Sequence, residues 1–554
     1  MQIVTLVLGL LLAVVVSAFA TRLSPLKLPA PLLQMLIGAV FHYVGFEVEF
    51  HSHLFLLLFI PPLLFLDGWR IPKGALFRDW RPILALAIGL VVFTVVGIGL
   101  FVHWLIPAVP LAVAFALAAI LSPTDPVAVG AMTATSPLPS RLTHILEGEA
   151  LLNDATGLVC FTFAVSAALT GEFSLTDAAL SFVLVSGGGV LVGVGVTFAI
   201  GRLNRALIRR AGEEPATQIL VSLLMPFAAY LAAEHLHVSG ILAAAVAGIA
   251  MHYGELAGRA LAATRMQRNA VWDTVQATLN GIIFVLLGQQ LPHFVARLPH
   301  AAGEIGVASV PLLLGYLSAI TAALIALRFL WVWIAMHITV LRAARKGEQR
   351  RAAPTRVLAV TATAGVRGAI TLAGILTLPR TLPSGAPFPA RDVAIFLAMG
   401  VILLSLLFAT VALPLLTRSL STLPGAAQNA SAAARRTSEA AARTAAAEAA
   451  VRKIERLLSE PLTDAEASVA RAEAAMHLLA AYRRRLEYGD PHEDENEARR
   501  VAAAERQLHV KALQAEREEL YRLRLDRGID DDVHRALLRE IDLVEASLTP
   551  AGAH

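Results

Sequence analysis

The 554-residue chain has a single cysteine, Cys160, set inside an apolar run, so an internal disulfide is excluded. Charge is scarce too: Asp, Glu, Lys and Arg make up 16% of the residues against 56% hydrophobic ones, and mean hydropathy is +0.66. That balance does not belong to a soluble globular protein of this size. The His-Glu-x-x-His of zinc proteases, a phosphate-binding glycine loop and a Gly-x-Ser-x-Gly elbow are all missing. Nothing among the residues therefore argues for a hydrolase or an ATP-driven pump, and no cofactor is called for. The net charge of +4 gives no reason to expect a nucleic-acid partner. Residues 1–20 lack the basic start of a signal peptide and read as a first membrane span, although Ser17-Ala18-Phe19-Ala20 imitates a cleavage site.

Long apolar runs are abundant. Thirteen reach about the length a bilayer demands, near 2–20, 28–46, 53–67, 82–104, 108–134, 144–169, 178–201, 216–235, 238–253, 271–291, 308–340, 357–378 and 392–417. The fold class is therefore an all-α polytopic membrane protein with the lipid bilayer as its solvent. Alternate loops differ in charge. One set holds Arg22, Lys27, Arg70, Lys73, Arg78, Arg81, Arg141, Arg202–Arg210, Arg259–Arg268 and the cluster Arg342–Arg356; the other holds only Arg297, Arg380 and Arg391. The positive-inside rule puts the first set in the cytoplasm, with the N-terminus outside and the C-terminal tail inside. An even span count would scatter basic loops on both sides.

Two spans are broken. The fifth carries Ser122-Pro123-Thr124-Asp125-Pro126, and the twelfth carries Thr361-Ala362-Thr363-Ala364-Gly365-Val366-Arg367-Gly368. Non-helical backbone at membrane depth is tolerated only where protein or a watery cavity receives it. Each break is the fifth span of its half of six, and the two run in opposite directions, as expected of inverted repeats whose discontinuous helices meet at a midplane site.

The acids within spans carry the chemistry. A carboxylate at the bilayer centre costs roughly 2.5–3.5 kcal/mol even on the lenient insertion scale, so each one marks an ion or proton site by default. Asp154 follows Glu147-Gly148-Glu149-Ala150-Leu151-Leu152-Asn153 and lies about ten residues, or roughly 15 Å, inside the sixth span. A carboxyl that holds either a proton or a cation, never both, is what an exchanger needs. Thr124 and Asn153 offer neutral oxygens beside Asp125 and Asp154, a ligand set suited to a hard cation such as Na⁺ by analogy with other hard-cation sites. Arg367 and Arg328 also lie deep and each requires an anion; Arg367 is expected to pair with Glu149.

With these segments the chain resembles the monovalent cation:proton antiporters of the NhaP and NHE type. The resemblance rests on Ser122–Val129, Glu147–Asp154 and Gly365–Ile370, with Pro61-Pro62-Leu63-Leu64-Phe65 and Ile282–Gly288 as further matching segments in the same order across about residues 1–420. It implies an NhaA-like fold with a core bundle, a dimerisation bundle and crossed broken helices, in a homodimer of the bacterial inner membrane. It implies Asp154 as the carrier, Asp125 and Thr124 lining the site, a Glu149–Arg367 pair, and Arg328 near the crossing. Asn153-Asp154, rather than two acids, implies electroneutral one-for-one exchange of monovalent cations and protons. The sequence departs from the family where Leu66 fills the usual acid position and Asp67 comes one residue later, which reads as a cytoplasmic corner, and at Asn280, where relatives can have Glu. A K⁺/H⁺ antiporter is the nearest alternative, and a transporter-like sensor signalling through its tail is a further one.

Beyond residue 425 the chain turns to Ala, Arg and Glu, with strong helix propensity. Residues 430–459, 464–487, 493–526 and 530–548 read as amphipathic helices of a cytoplasmic domain spanning 425–554. Gly489-Asp490-Pro491 and Gly528-Ile529-Asp530 separate them. Their stripes, Leu457, Leu458, Leu478, Leu479, Tyr482 and Leu486, then Leu508, Val510, Leu513, Leu520 and Leu523, want a partner. Gly187, Gly188, Gly189 and Gly193 mark a close-packing face in span seven. The histidines, among them His42, His51, His53, His235, His237 and His252, sit at span ends or in loops.

Overall fold

A computed structural model of the chain describes residues 2–23, 29–45, 57–133, 138–171, 175–256, 262–304, 310–345 and 355–421, then 444–459, 472–480 and scattered residues from 482 to 545. His51, His53, Arg259, the Gly489 and Gly528 breaks, and Leu486, Val510 and Leu523 lie outside the described residues. Two compact units result, Met1–Leu423 and Pro424–His554. The described residues are mostly helical and form no strand, with one isolated bridge between Thr381 and Pro387.

In the first unit the helices are α1 Gln2–Leu23, α2 Ala30–Tyr43, α3 Ile60–Arg70, α4 Lys73–Arg78 and α5 Trp80–Leu105. Then come α6 Leu111–Leu121, α7 Pro126–Thr133, α8 Ser140–Thr170, α9 Leu175–Ala211, α10 Pro215–His235 and α11 Gly240–Leu256. The series ends with α12 Ala262–Glu304, α13 Val310–Arg345, α14 Thr355–Thr363, α15 Ala369–Leu376 and α16 Arg391–Ser421. Seven of these helical stretches are long and apolar enough to cross a membrane: those of α5, α8, α9, α10, α12, α13 and α16. Shorter apolar helices include α2, α6 and part of α11.

Local rules account for several boundaries. Pro61 and Pro62 sit in the first turn of α3, where their missing N–H groups cost nothing. At the other end of α3 the buried Lys73 ammonium donates to Gly68 O, Trp69 O and Ile71 O at 2.8, 2.7 and 2.9 Å. A cation on the last carbonyls of a helix is favoured by both hydrogen bonding and the helix dipole. Residues Ala85–Leu90 of α5 form a π-helical turn, and the Trp331 indole donates to Ala85 O at 3.0 Å. Where α5 begins, Asp79 is buried and accepts from Arg141 at 2.7 and 3.1 Å and from Arg78 at 3.3 Å.

Two helix pairs approach so closely that only glycine fits. A Cβ on Gly38 of α2 would lie 2.0 Å from Val285 O of α12, and one on Gly288 would lie 2.0 Å from Met35 O. Gly68 of α3 and Gly248 of α11 face Ala245 O and Phe65 O in the same reciprocal way. In α9, Gly188, Gly189 and Gly193 pack closely on Val238, Ser239 and Ala243, whereas Gly187 faces open space. The largest buried cluster runs through α6, α13 and α16.

In the second unit, residues 444–459 and 472–480 are helical. Leu458, Leu479, Tyr482 and Leu520 are partly buried and Leu513 is buried, but Leu457, Leu478 and Leu508 are exposed.

Candidate functional site

Two interrupted helices build the site. The stretch from Ser122 to Asp125 separates α6 from α7, and the stretch from Ala364 to Gly368 separates α14 from α15. The breaks touch: the Asp125 N–H donates to Val366 O at 2.8 Å. A helix end leaves four carbonyls without partners, and at membrane depth protein must supply the donors. Ser122 Oγ donates to Ala119 O at 2.8 Å, Arg367 Nε to Leu121 O at 2.8 Å, and Arg328 Nε to Thr361 O at 2.8 Å. Arg367 also donates through Nη1 to Gly365 O. Both deep arginines thus sit at the C-terminal, partly negative ends of the half-helices, where a cation is favoured.

The following half-helix takes the opposite sign. Asp125 Oδ1 accepts from the backbone N–H groups of Val127 and Ala128 at 2.9 and 3.3 Å, so this carboxylate caps the first turn of α7. Its other oxygen lies against Gly368, where a Cβ would come within 2.2 Å of Oδ2, so only glycine lets the second break pass.

The deep ion pair differs from the expected one. Glu149 pairs with Arg328, not Arg367, through two parallel bonds of 2.5 and 2.7 Å, and both side chains are at most 3% exposed. The bidentate fork matches carboxylate geometry on α13, whereas the Arg367 guanidinium is spent on carbonyls of the two breaks.

Glu149, Asn153 and Gly157 recur at four-residue spacing on one face of α8, which presents them to the crossing. Asn153 Nδ2 donates to Thr124 Oγ1 at 2.9 Å and ties α8 to the first break. Gly157 removes the side chain that would strike Pro123, whose Cγ would stand 2.6 Å from its Cβ. Asp154, at 5% exposure, opens on a cavity of about 70 Å³ that Thr124, Asp125, Asp67, Gln276 and Thr371 also line. That space holds a few water-sized occupants. Asn153 is not part of the lining; it stands behind Thr124. Among the described residues no three acidic, His or Cys side chains gather closely enough to hold a resident metal.

A family model described as "Sodium/hydrogen exchanger, transmembrane" matches residues 10–419. The chain belongs to the sodium/hydrogen exchanger family. It is 40% identical over 551 residues to an uncharacterized Na(+)/H(+) exchanger, YjcE, of Escherichia coli, with 99% of each chain covered. It is 42% identical over 425 residues to a sodium, potassium, lithium and rubidium/H(+) antiporter of Bacillus subtilis, a match covering 75% of this chain and 62% of that one. Among solved structures, the sodium proton antiporter MjNhaP1 of Methanocaldococcus jannaschii has a similar fold, with a TM-score of 0.55 at 17% identity over 76% of this chain and 100% of that one. The relatives of this exchanger are transporters rather than enzymes.

In this member of the family, three features of the site escaped sequence reasoning. Asp67 is not a cytoplasmic corner: α3 runs on to Arg70, Leu66 is fully buried, and Asp67 turns to the cavity that holds Asp154. The one-residue offset rotates the acid by about 100° around the helix, so it arrives from a different side of α3. Gln276 of α12 lines the same cavity and accepts from Arg70 at 2.7 Å. Thr371 is buried, and its hydroxyl has no hydrogen-bond partner.

Proposed function

We propose that this chain is a secondary active antiporter that exchanges Na⁺ for H⁺ one for one, with Li⁺ and K⁺ as further substrates. The observation that carries the reading is the meeting of Asp67, Asp125 and Asp154 on one small cavity beside two crossed helix breaks. Asp154 is the carrier: its carboxylate is neutralised by a proton in one transit and by a cation in the other, so neither transit moves net charge. Thr124 and Thr371 offer neutral oxygens to a partly dehydrated cation, Asp125 contributes charge from the helix cap, and Asn153 holds Thr124 in place. The Glu149–Arg328 pair balances its own charge and fastens α8 to α13, and Arg367 supports the carbonyls of the breaks.

Around this centre we place thirteen spans that include two inverted repeats: the seven long helices, α1, α2, α3 and α11, and the two broken pairs α6–α7 and α14–α15. The basic loops put the N-terminus outside and the tail, 425–554, in the cytoplasm of a bacterial cell with the 1–420 region in its inner membrane. The lipid-facing apolar surface and the family leave room for a homodimer, with one bundle moving against the other for alternating access. A second reading, K⁺/H⁺ antiport, draws support from the Bacillus subtilis relative, a sodium, potassium, lithium and rubidium/H(+) antiporter.

The test is proton flux in proteoliposomes with an imposed pH gradient, adding Na⁺, Li⁺ or K⁺ in turn. Wild-type protein should dissipate the gradient on cation addition, and Asp154→Asn should not. Flux that survives Asp154→Asn moves the carrier role to Asp125; no flux with any cation across a range of pH removes the reading.

A further inference from the structure

Asp67 does not stand alone at its end of the acidic cavity. Three residues further along α3, on nearly the same side and one turn nearer the helix end, comes Arg70. Opposite, α12 carries Asp273, Gln276 and Asn280 at a spacing that puts them on one face. Gln276 and Asn280 line the cavity, as Asp67 does, and Arg70 and Asp273 lie one turn beyond the lining. The Arg70 guanidinium forks across two acceptors of α12: Nη1 donates to Gln276 Oε1 at 2.7 Å, and Nη2 pairs with Asp273 Oδ1.

An arginine carries donors only, so the atom of the Gln276 amide that faces it is the oxygen. That oxygen is also what Gln276 can offer a hard cation in the cavity. The two uses compete. With the guanidinium nitrogen 2.7 Å from Oε1 and a hard cation about 2.5 Å from the same oxygen, two positive charges stand within roughly 5 Å, a range in which like charges disfavour each other. We propose that Arg70 is a positioning residue of the exchange cycle: it holds the Gln276 oxygen and yields it when a cation enters, while Asp273 keeps the guanidinium. This role presupposes a cation in the acidic cavity and so rests on the antiport reading.

Exposure decides which contact moves. The helices α3 and α12 also meet through Phe65 and Trp272, which are fully buried with their rings stacked 5.5 Å apart, and the Trp272 indole donates to Ser222 of α10 at 3.1 Å. That contact fixes the two helices. The Arg70 and Asp273 side chains are 37% and 65% exposed, so water replaces what the fork loses and the change of partner costs little. Moving one side chain between two acceptors a helical turn apart then frees the oxygen without parting the helices.

The experiment measures cation-driven proton flux against Na⁺ concentration in proteoliposomes of wild type, Arg70→Met, Gln276→Leu and the double variant. Arg70→Met frees the oxygen, so the apparent KM for Na⁺ should fall about two- to fivefold at unchanged maximal rate, as for a half-exposed charge contact. Gln276→Leu removes the oxygen and should raise KM. In the double variant there is no oxygen to release, so losing Arg70 should leave the KM of Gln276→Leu where it is. An equal fall of KM in both backgrounds means that Arg70 acts through its charge at a distance, and it overturns the proposal. An unchanged KM in Arg70→Met, or a lowered maximal rate without a change of KM, overturns it too. If Arg70→Met does not fold, the exposed Asp273→Asn decides: the arginine then has Gln276 as its remaining partner and KM should rise, and an unchanged or lower KM is the contrary result. Absence of wild-type flux with every cation removes the antiport reading and this role together, whereas wild-type flux with any contrary KM removes this role alone.

Discussion

Removing Glu149 tests the deep ion pair and identifies its partner. The pair is bidentate, at 2.5 and 2.7 Å, between side chains at most 3% exposed. Glu149→Ala strands a buried guanidinium that keeps only Thr361 O, and breaking a buried pair from one side costs about 3–5 kcal/mol. Arg328→Met strands the carboxylate at similar cost and frees the Thr361 carbonyl, adding about 1–3 kcal/mol. The double variant removes both charges and fills the space with an apolar stem, so it should be no less stable than the worse single variant, a coupling of at least the smaller single cost, about 3–5 kcal/mol. Unfolding by SDS titration in mixed micelles reads all four corners of the cycle. Glu149→Ala combined with Arg367→Met is the control, and its costs should come closer to adding, because Arg367 serves carbonyls. A larger coupling with Arg367 than with Arg328, or a Glu149→Ala cost under about 1 kcal/mol, would refute the reasoning.

Two further outcomes follow from packing and charge. Gly157→Ala drives a methyl into Pro123 at 2.6 Å and should cost about 1–3 kcal/mol in the same titration, whereas Gly187→Ala, which meets open space, should cost nothing comparable. At Asp79, burial alone would raise the pKa, but the guanidinium of Arg141, then that of Arg78, hold it below the usual 3.8. A depressed folded value adds stability above the unfolded value and loses it as pH falls through the folded one. The stability gap between wild type and Asp79→Asn should therefore stay constant down to about pH 4 and close below it. A gap that closes instead on raising the pH above neutral contradicts the assignment.

The breaks were legible because their chemistry is local. Two prolines around Thr124-Asp125 and two glycines around Val366-Arg367 disfavour a continuous helix by about 3 kcal/mol per proline and about 1 kcal/mol per glycine, independently of tertiary packing. The sequence also set Asp154, Glu149 and the arginines at similar depth, but depth is one coordinate of two. Which arginine meets Glu149 depends on how α8, α13 and the second break are turned about their axes, and that is decided by packing. Arg367 sits inside a break whose own carbonyls claim it first. Asp67 was misplaced for the same reason: one residue of offset is a quarter-turn, and a pattern counted along the chain does not see which side of α3 faces α8. In the tail the helix propensity was legible, as the helical residues 444–459 and 472–480 show, whereas what covers its stripes is a matter of packing that composition does not carry.

The reciprocal glycines between α2 and α12, and between α3 and α11, act like teeth of fixed pitch. With the Met35 and Val285 carbonyls seated where a Cβ would be 2.0 Å away, a slide of part of a turn would bring a carbonyl against a side chain. Such an interface holds its register, because a slide in either direction sets a carbonyl against a side chain. Smooth adjustment in this molecule is left to seams without teeth, so cross-links across the two glycine seams should be silent where cross-links elsewhere in the bundle are not.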